Sequence, residues 1–295
     1  MAQSNTAKRD LLLRGSVSSA HFWVLHQLDV NNSFLHGYLG EEIYMTLPEG
    51  YPVQPGQSAH DHCLYVKGSG ASFIALLVYV DDVLLTSPSC ALITEVKTYL
   101  DRMFTIKDLG LARYFLGLQI ARSASATSIT QTKYVTDILQ DTGLINAKAA
   151  TTPLPQGIKL SATGGAVLPN PEPYRRLVGR LLYLGFTRPD ISFAVQQLSQ
   201  FLQRPCESHW QAALHVVRYL KGTSATGLFF PSDNSFQLQA YCDADWASCL
   251  DSSRSVTGFS VFLGTALVSW KTKKHATVPR SSAEAEYRSM GATLC

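Results

Sequence analysis

Charge is scarce in this 295-residue chain: 16% of residues are Asp, Glu, Lys or Arg, the net charge is +3, and 46% are hydrophobic. That balance excludes a disordered tail, a histone-like polycation and a collagen. Long apolar runs are missing too. The longest, Phe73 to Val80, meets Asp81 and Asp82, far short of the roughly 18 residues of a membrane span. Met1 to Gly15 carries Lys8, Arg9 and Arg14 but no apolar signal core, so secretion is not expected and the predicted address is intracellular, cytoplasmic or nuclear. The six cysteines form no CxxC pair. Zinc ribbons and disulfide frameworks are therefore not expected, and reduced thiols are the default.

What charge there is sits unevenly. Residues 1–150 hold 11 basic against 13 acidic side chains, and residues 151–295 hold 14 against 9. The excess lies between Arg175 and Lys221, with seven basic and two acidic residues. Such a segment is either a polyanion-binding surface or a solvated helical face.

The length suits about two domains. Residues 1–20 are unpatterned, and Phe22 to Met45 reads as strand, turn and short helix. Residues 48–61 form a Pro/Gly-rich connector. Residues 72–86 place two apolar strands around Asp81 and Asp82, which predicts a hairpin with the acids at its tip. Leu92, Val96, Leu100 and Met103 recur at helical steps, predicting an amphipathic helix over Cys90–Phe104. A strand pair is expected over 111–121 and 127–130. Eight Pro and Gly residues within 151–173 mark a linker. Helices are expected near 174–187, 189–203 and 208–221, the last capped by Ser208 and stopped by Gly222. Strands follow over 227–230, 236–242, 256–263 and 266–270, then a helix from about Ser281. No internal repeat is present.

Two adjacent carboxylates wrapped by Leu76, Leu77, Val78, Val83 and Leu84 repel each other unless something cationic or wet offsets them. Water at an exposed turn is one answer. A hard divalent cation is the other. Alternating strand residues reach one ion together only where a turn breaks the alternation, as here. Asp29, ending the apolar stretch Leu25-His-Gln-Leu-Asp29, is either a turn residue or a third acid from a neighbouring strand. Three converging acids are what two-metal phosphoryl transfer needs.

Tyr79-Val-Asp-Asp82 resembles the polymerase signature of reverse transcriptases. His26-Gln-Leu-Asp-Val-Asn-Asn-Ser-Phe-Leu-His-Gly37, followed by Glu42-Ile-Tyr-Met45, resembles the first palm motif of copia-type LTR retrotransposons. Asp108-Leu-Gly110 with Tyr114-Phe-Leu-Gly-Leu118 is similar to the segment after their catalytic hairpin. Tyr183-Leu184, Thr187-Arg-Pro-Asp-Ile191, His209-Trp210 and Val217-Arg-Tyr-Leu-Lys-Gly-Thr223 resemble their connection region. Five blocks in the family's order identify the chain as a copia-type pol fragment. The resemblance implies catalytic, metal-holding Asp29, Asp81 and Asp82, with Mg2+ (Mn2+ as an alternative) as cofactor. Implied partners are an RNA template, a DNA primer, the RNA–DNA hybrid, nucleoside triphosphates and other pol polyprotein segments, with no membrane.

Asp243 and Asp245 end a strand in Leu238-Gln-Ala-Tyr-Cys-Asp-Ala-Asp-Trp-Ala247, and a helix begins at Ser281-Ser-Ala-Glu-Ala-Glu-Tyr287. Ser281 and Glu284 fit a capping box. Glu286 lies about 200° around the helix from Glu284, on a face with Ala283 and Met290, so it is the acid aimed at Asp243. The arrangement resembles the ribonuclease H domain following copia-type reverse transcriptase, where four acids bind two metals; Asp243 and Glu286 match the first two as catalytic, metal-holding residues, and Asp245 reads as structural.

The expected fold is α+β: a reverse-transcriptase palm-like sheet with helices (21–150, with an internal deletion near 52–60), the linker 151–173, a helical connection (174–226), and a partial ribonuclease H-like mixed sheet (227–295). A block resembling Ser-Leu-Tyr-Gly-Leu-Lys-Gln is absent after the connector, the N-terminal fingers are replaced by residues 1–20, and the last two ribonuclease acids fall beyond Cys295. The expectation is a defective RNA-directed DNA polymerase without ribonuclease activity. The alternatives are a non-catalytic nucleic-acid-binding remnant and an inert relic.

Overall fold

The computed structural model describes residues 23–30 and 64–294. The N-terminus 1–20, the blocks Asn31–Gly37 and Glu42–Met45, the connector 48–61, Cys63 and Cys295 lie outside the described residues. The chain is a mixed α+β protein that divides into two compact units, residues 1–115 and 116–295. Among the described residues no helix is long and apolar enough to cross a membrane.

The first unit is an antiparallel sheet in the order β2-β3-β4-β1-β5. Its strands are β1 (Val24–Val30), β2 (Leu64–Lys67), β3 (Ile74–Tyr79), β4 (Asp82–Ser87) and β5 (Ile106–Leu111), with helix α1 (Cys90–Met103) after β4. Leu25, Leu28, Ala75, Leu77, Val83, Leu84 and Leu85 are buried, so β4 reads as a central strand covered on both faces. Ser89 caps α1 by accepting from Leu92 N at 3.4 Å. Strand β5 went unanticipated, because Ile-Lys-Asp-Leu-Gly-Leu lacks clean alternation. Pairing with β1 draws it into the sheet, with the register shifting between Gln27 and Leu28. Asp108 Oδ1 accepts from Gly110 N at 2.8 Å, and Gly110 sits at φ +75°, a bulge that glycine makes cheap. The Asp-Leu-Gly block is therefore a sheet-bending device.

In the second unit, β6 (Leu118–Arg122), β7 (Ala126–Thr130) and β8 (Leu228–Pro231) pair antiparallel. Around the helices α2 (Thr132–Asp141), α3 (Glu172–Leu184), α4 (Ser192–Ser199) and α5 (Glu207–Gly222) lies a shared core that includes Ile138, Tyr174, Val178, Leu181, Leu198, Val216 and Leu220. A second sheet, β9 (Leu238–Asp245), β10 (Val256–Leu263) and β11 (Ala266–Lys274), carries the final helix α6 (Ser282–Leu294). Helix α2 was not anticipated. Residues 151–171 contain no helix or regular strand, with α3 starting at the end of the predicted linker, yet Leu154, Ile158, Leu160 and Leu168 pack against the helical core. The cap of α5 is Cys206, not Ser208: Cys206 N donates to His209 Nδ1 at 2.9 Å. The helix also runs through Gly222 to a C-cap at Thr223.

The block Thr187-Arg-Pro-Asp-Ile191 builds an internal ion pair. Arg188, 1% exposed, donates from Nε and Nη2 to Asp190 at 2.9 and 2.6 Å, and from Nη1 to Thr223 O at 2.9 Å. Tyr219 OH donates to the same carboxylate at 2.9 Å. Burial pushes the Asp190 carboxyl up, but the Arg188 guanidinium outweighs it and holds the group below the usual carboxylate range.

Candidate active site

The hairpin of β3 and β4 closes through two residues, Val80 and Asp81, with Tyr79 opposite Asp82. Val80 sits at φ +57° and is half exposed, whereas Asp81 is not in the left-handed region. That is the sign pattern of a II′ turn, which matches strand twist but normally takes glycine at its first position. A β-branched residue there is strained, and such strain gathers at functional sites.

Across the sheet, β1 pairs with β4 so that Asp29 stands directly opposite Asp82, and Gln27 opposite Leu84. Residues two apart share a face, so Gln27, Asp29 and Asp82 lie on one side of adjacent strands. Val30 N donates to Asp81 O at 2.9 Å, tying the hairpin tip to the end of β1. Gln27 Nε2 donates to Asp82 Oδ1 at 3.2 Å. Burial, then the carboxylates of Asp81 and Asp29, hold the Asp82 carboxyl above its ordinary value despite the Gln27 hydrogen bond. The sequence reading missed Gln27, although its place two residues before Asp29 was the available signal.

The donor set fits a hard divalent cation in kind: three carboxylates, one raised by burial and then by the other two, and no ion pair to any of them among the described residues. Among the described residues no three His, Cys, Asp or Glu side chains are gathered closely enough to hold an ion as they stand. Nearby, Lys97 Nζ bridges His26 Nδ1 and Asp108 Oδ2, each at 2.7 Å. Burial, then Lys97, keeps His26 below its ordinary value, so Lys97 ties α1 to β1 and β5 as a support.

In the second unit Asp243 and Asp245 are both exposed on one face of β9, opposite Gly258 and Val256. Ser289 Oγ donates to Asp243 O at 2.9 Å, fastening α6 to β9. Glu286, half buried, lies one turn before Ser289, and residues three apart are helix neighbours. Glu284 is spent on the helix start: its carboxylate accepts from Arg280 N at 2.7 Å and pairs with Arg288 at 2.6 Å, while its own N donates to Ser281 Oγ. A cavity of about 340 Å³ opens beside Asp243, lined by Tyr241, Gly258, Trp270, Lys271 and Thr272 among others. The basic segment is partly consumed internally: Arg175 donates to the Leu202 carbonyl, Arg180 pairs with Asp141, Arg188 is buried, and Lys221 donates to Ala147 O.

A family model described as reverse transcriptase (RNA-dependent DNA polymerase) matches residues 54–156. The chain is 39% identical over 306 residues to the retrovirus-related Pol polyprotein from transposon RE1 of Arabidopsis thaliana, covering 92% of this chain and 21% of that polyprotein. It is 34% identical over 305 residues to the putative transposon Ty5-1 protein of Saccharomyces cerevisiae, covering 90% of this chain and 99% of that protein. The chain belongs to the copia-type retrotransposon Pol family. An uncharacterized mitochondrial protein of Arabidopsis thaliana is 43% identical over 218 residues, covering 74% of this chain and 90% of that relative. As a copia-type Pol chain, it carries a reverse transcriptase domain and spans about a fifth of the RE1 polyprotein. The family match includes Asp81 and Asp82, while Asp29 precedes it.

Proposed function

We propose that the β1–β4 edge is the polymerase centre of an RNA-directed DNA polymerase, with Asp29, Asp81 and Asp82 as its metal-holding acids. The observation that carries this reading is the register of Asp29 against Asp82, with Asp81 at the strained tip and Asp82 raised by burial and then by both acids. Bound there, Mg2+ or Mn2+ supplies Lewis acidity to an attacking hydroxyl and a leaving oxygen in phosphoryl transfer. The chain's own contribution is placement. The Val30–Asp81 hydrogen bond fixes the tip, Gln27 orients the Asp82 carboxylate, and Asp29 completes the acidic face. Substrates on this reading are an RNA template, a DNA primer and nucleoside triphosphates, with other Pol segments as partners.

The same reading assigns Asp243 and Glu286 to a ribonuclease H-like centre acting on the RNA–DNA hybrid, with Asp245 structural. It is supported by the tie between α6 and β9 and by the cavity beside Asp243.

Polymerase activity in this chain is expected to be very low. The span matched to RE1 is longer than the part of this chain that it covers, in keeping with a palm segment missing near residues 52–60. Without that segment's grip on primer and nucleotide, the positioning that supplies much of the rate is lost. Primer extension on an RNA template with Mg2+ or Mn2+ tests this, comparing the parent with Asp81→Asn and Asp82→Asn. Trace extension that vanishes in both variants supports the assignment. Extension that persists in both contradicts it.

A further inference from the structure

Outside both acidic sites, the loop between β9 and β10 holds a cysteine against a lysine. Cys249 is buried, at 8% exposure, and Lys274 Nζ, from the last residue of β11, donates to its Sγ at 2.8 Å. The same ammonium donates at 2.8 Å to Oε1 of Gln200, the residue just after α4, which fixes its direction. The loop itself is tightly specified. Cys249 N donates to Arg254 O at 3.2 Å, Ser253 N donates to Cys249 O at 2.8 Å, and Ala247 and Ser253 both adopt positive φ without being glycine. Maintaining two such residues costs free energy, and here they place the sulfur on the lysine. Neither proposed phosphoryl-transfer centre uses this pair.

We propose that Cys249 and Lys274 form an oxidant-sensitive modification site, in which a lysine-paired thiolate reacts with small hydroperoxides. The environment supports it. Burial pushes the Cys249 thiol up, but Lys274, with Ser252 and the Asp251 backbone, outweighs it and leaves the thiol below its ordinary value. The sulfur lone pair attacks the nearer peroxide oxygen, forming an S–O bond and breaking the O–O bond. Lys274 gives one proton to the departing oxygen, so thiolate, ammonium and hydrogen peroxide become sulfenic acid, neutral amine and water. Sulfur is oxidised by two electrons and the peroxide is reduced by two. At 8% exposure, Cys249 is reached by small oxidants more readily than by bulky ones.

The test is a brief hydrogen peroxide pulse on the full chain, quenching of the peroxide, unfolding in denaturant that contains a dimedone-type reagent so that every sulfenic acid is reached, and peptide mass spectrometry. Cys90, exposed at the start of α1, is the demanding control, since helix N-termini themselves favour thiolates. Cys249 is expected to be modified at least about fivefold faster than Cys90, Lys274→Met to remove that advantage, and Lys274→Arg to keep most of it. Cys249 reacting no faster than Cys90 in the parent chain overturns the proposal, and so does an advantage that survives in a folded Lys274→Met chain. The parent ranking decides the matter even where Lys274→Met fails to fold.

Discussion

Asp82 and Asp190 are both partly buried carboxylates, yet the fold treats them in opposite ways. Asp190 receives a buried arginine, a tyrosine hydroxyl and a pKa below the usual range. Asp82 receives one glutamine amide, and burial followed by two further acids raises its pKa. The second unit settles the buried Arg188 charge internally, whereas among the described residues the hairpin tip leaves negative charge unneutralised. A structural carboxylate is paired by the chain; an acid left short of a cation is, on the proposed reading, the one that meets an ion.

Breaking the paired case is expected to give the largest effect. Arg188→Met leaves Thr223 O without its guanidinium donor and Asp190 with Tyr219 as its remaining side-chain donor, and is expected to cost about 1–3 kcal/mol in urea unfolding of the second unit. A loss below 1 kcal/mol would remove the contrast. Acidification separates the two carboxylates next. Asp190 has a lowered pKa, so its contribution is present above the ordinary carboxylate value and is lost as pH falls through its folded value. Asp82 has a raised pKa, so its cost is absent at low pH and grows as pH rises from the ordinary value through its folded value. Hydrogen exchange corrected for intrinsic rates is expected to lose protection around α3 and α5 on acidification below pH ~4, with β3–β4 holding or gaining on the way there.

Smaller effects sharpen the comparison. Asp82→Asn keeps an acceptor for Gln27 while removing a repelled charge, so a rise in Tm of roughly 1–3 °C without added metal is expected by calorimetry. A fall of that size would mean Asp82 is a structural acid. Val80→Gly exchanges left-handed strain for extra freedom in the unfolded chain, and the urea midpoint is expected to move by less than about 1 kcal/mol equivalent.

Much of this organisation was legible in the chain. The apolar run around Asp81 and Asp82 specified the β3–β4 hairpin, because only a central strand buries Val83, Leu84 and Leu85 together. Helical periodicity located α1 and α3 to α6 within a few residues. Strand β5 was illegible, since its membership depends on pairing with β1 rather than on its own pattern. The Pro/Gly content of 151–173 said nothing of how Leu154, Ile158 and Leu168 pack against the helical core. The family blocks named Asp29, Asp81 and Asp82 as candidates but not the groups around them. The Gln27–Asp82 hydrogen bond and the ties of Arg188 to Thr223 and of Tyr219 to Asp190 emerge only once strands and helices bring distant residues together.

The most direct measurement is Mn2+ binding to the full chain, read by electron paramagnetic resonance, in the parent and in Asp29→Asn, Asp82→Asn and Asp243→Asn. The account predicts a binding component that both Asp29→Asn and Asp82→Asn weaken at least about tenfold and that Asp243→Asn leaves in place. Binding untouched by Asp29→Asn would contradict the claim that β1 and the hairpin tip share an ion.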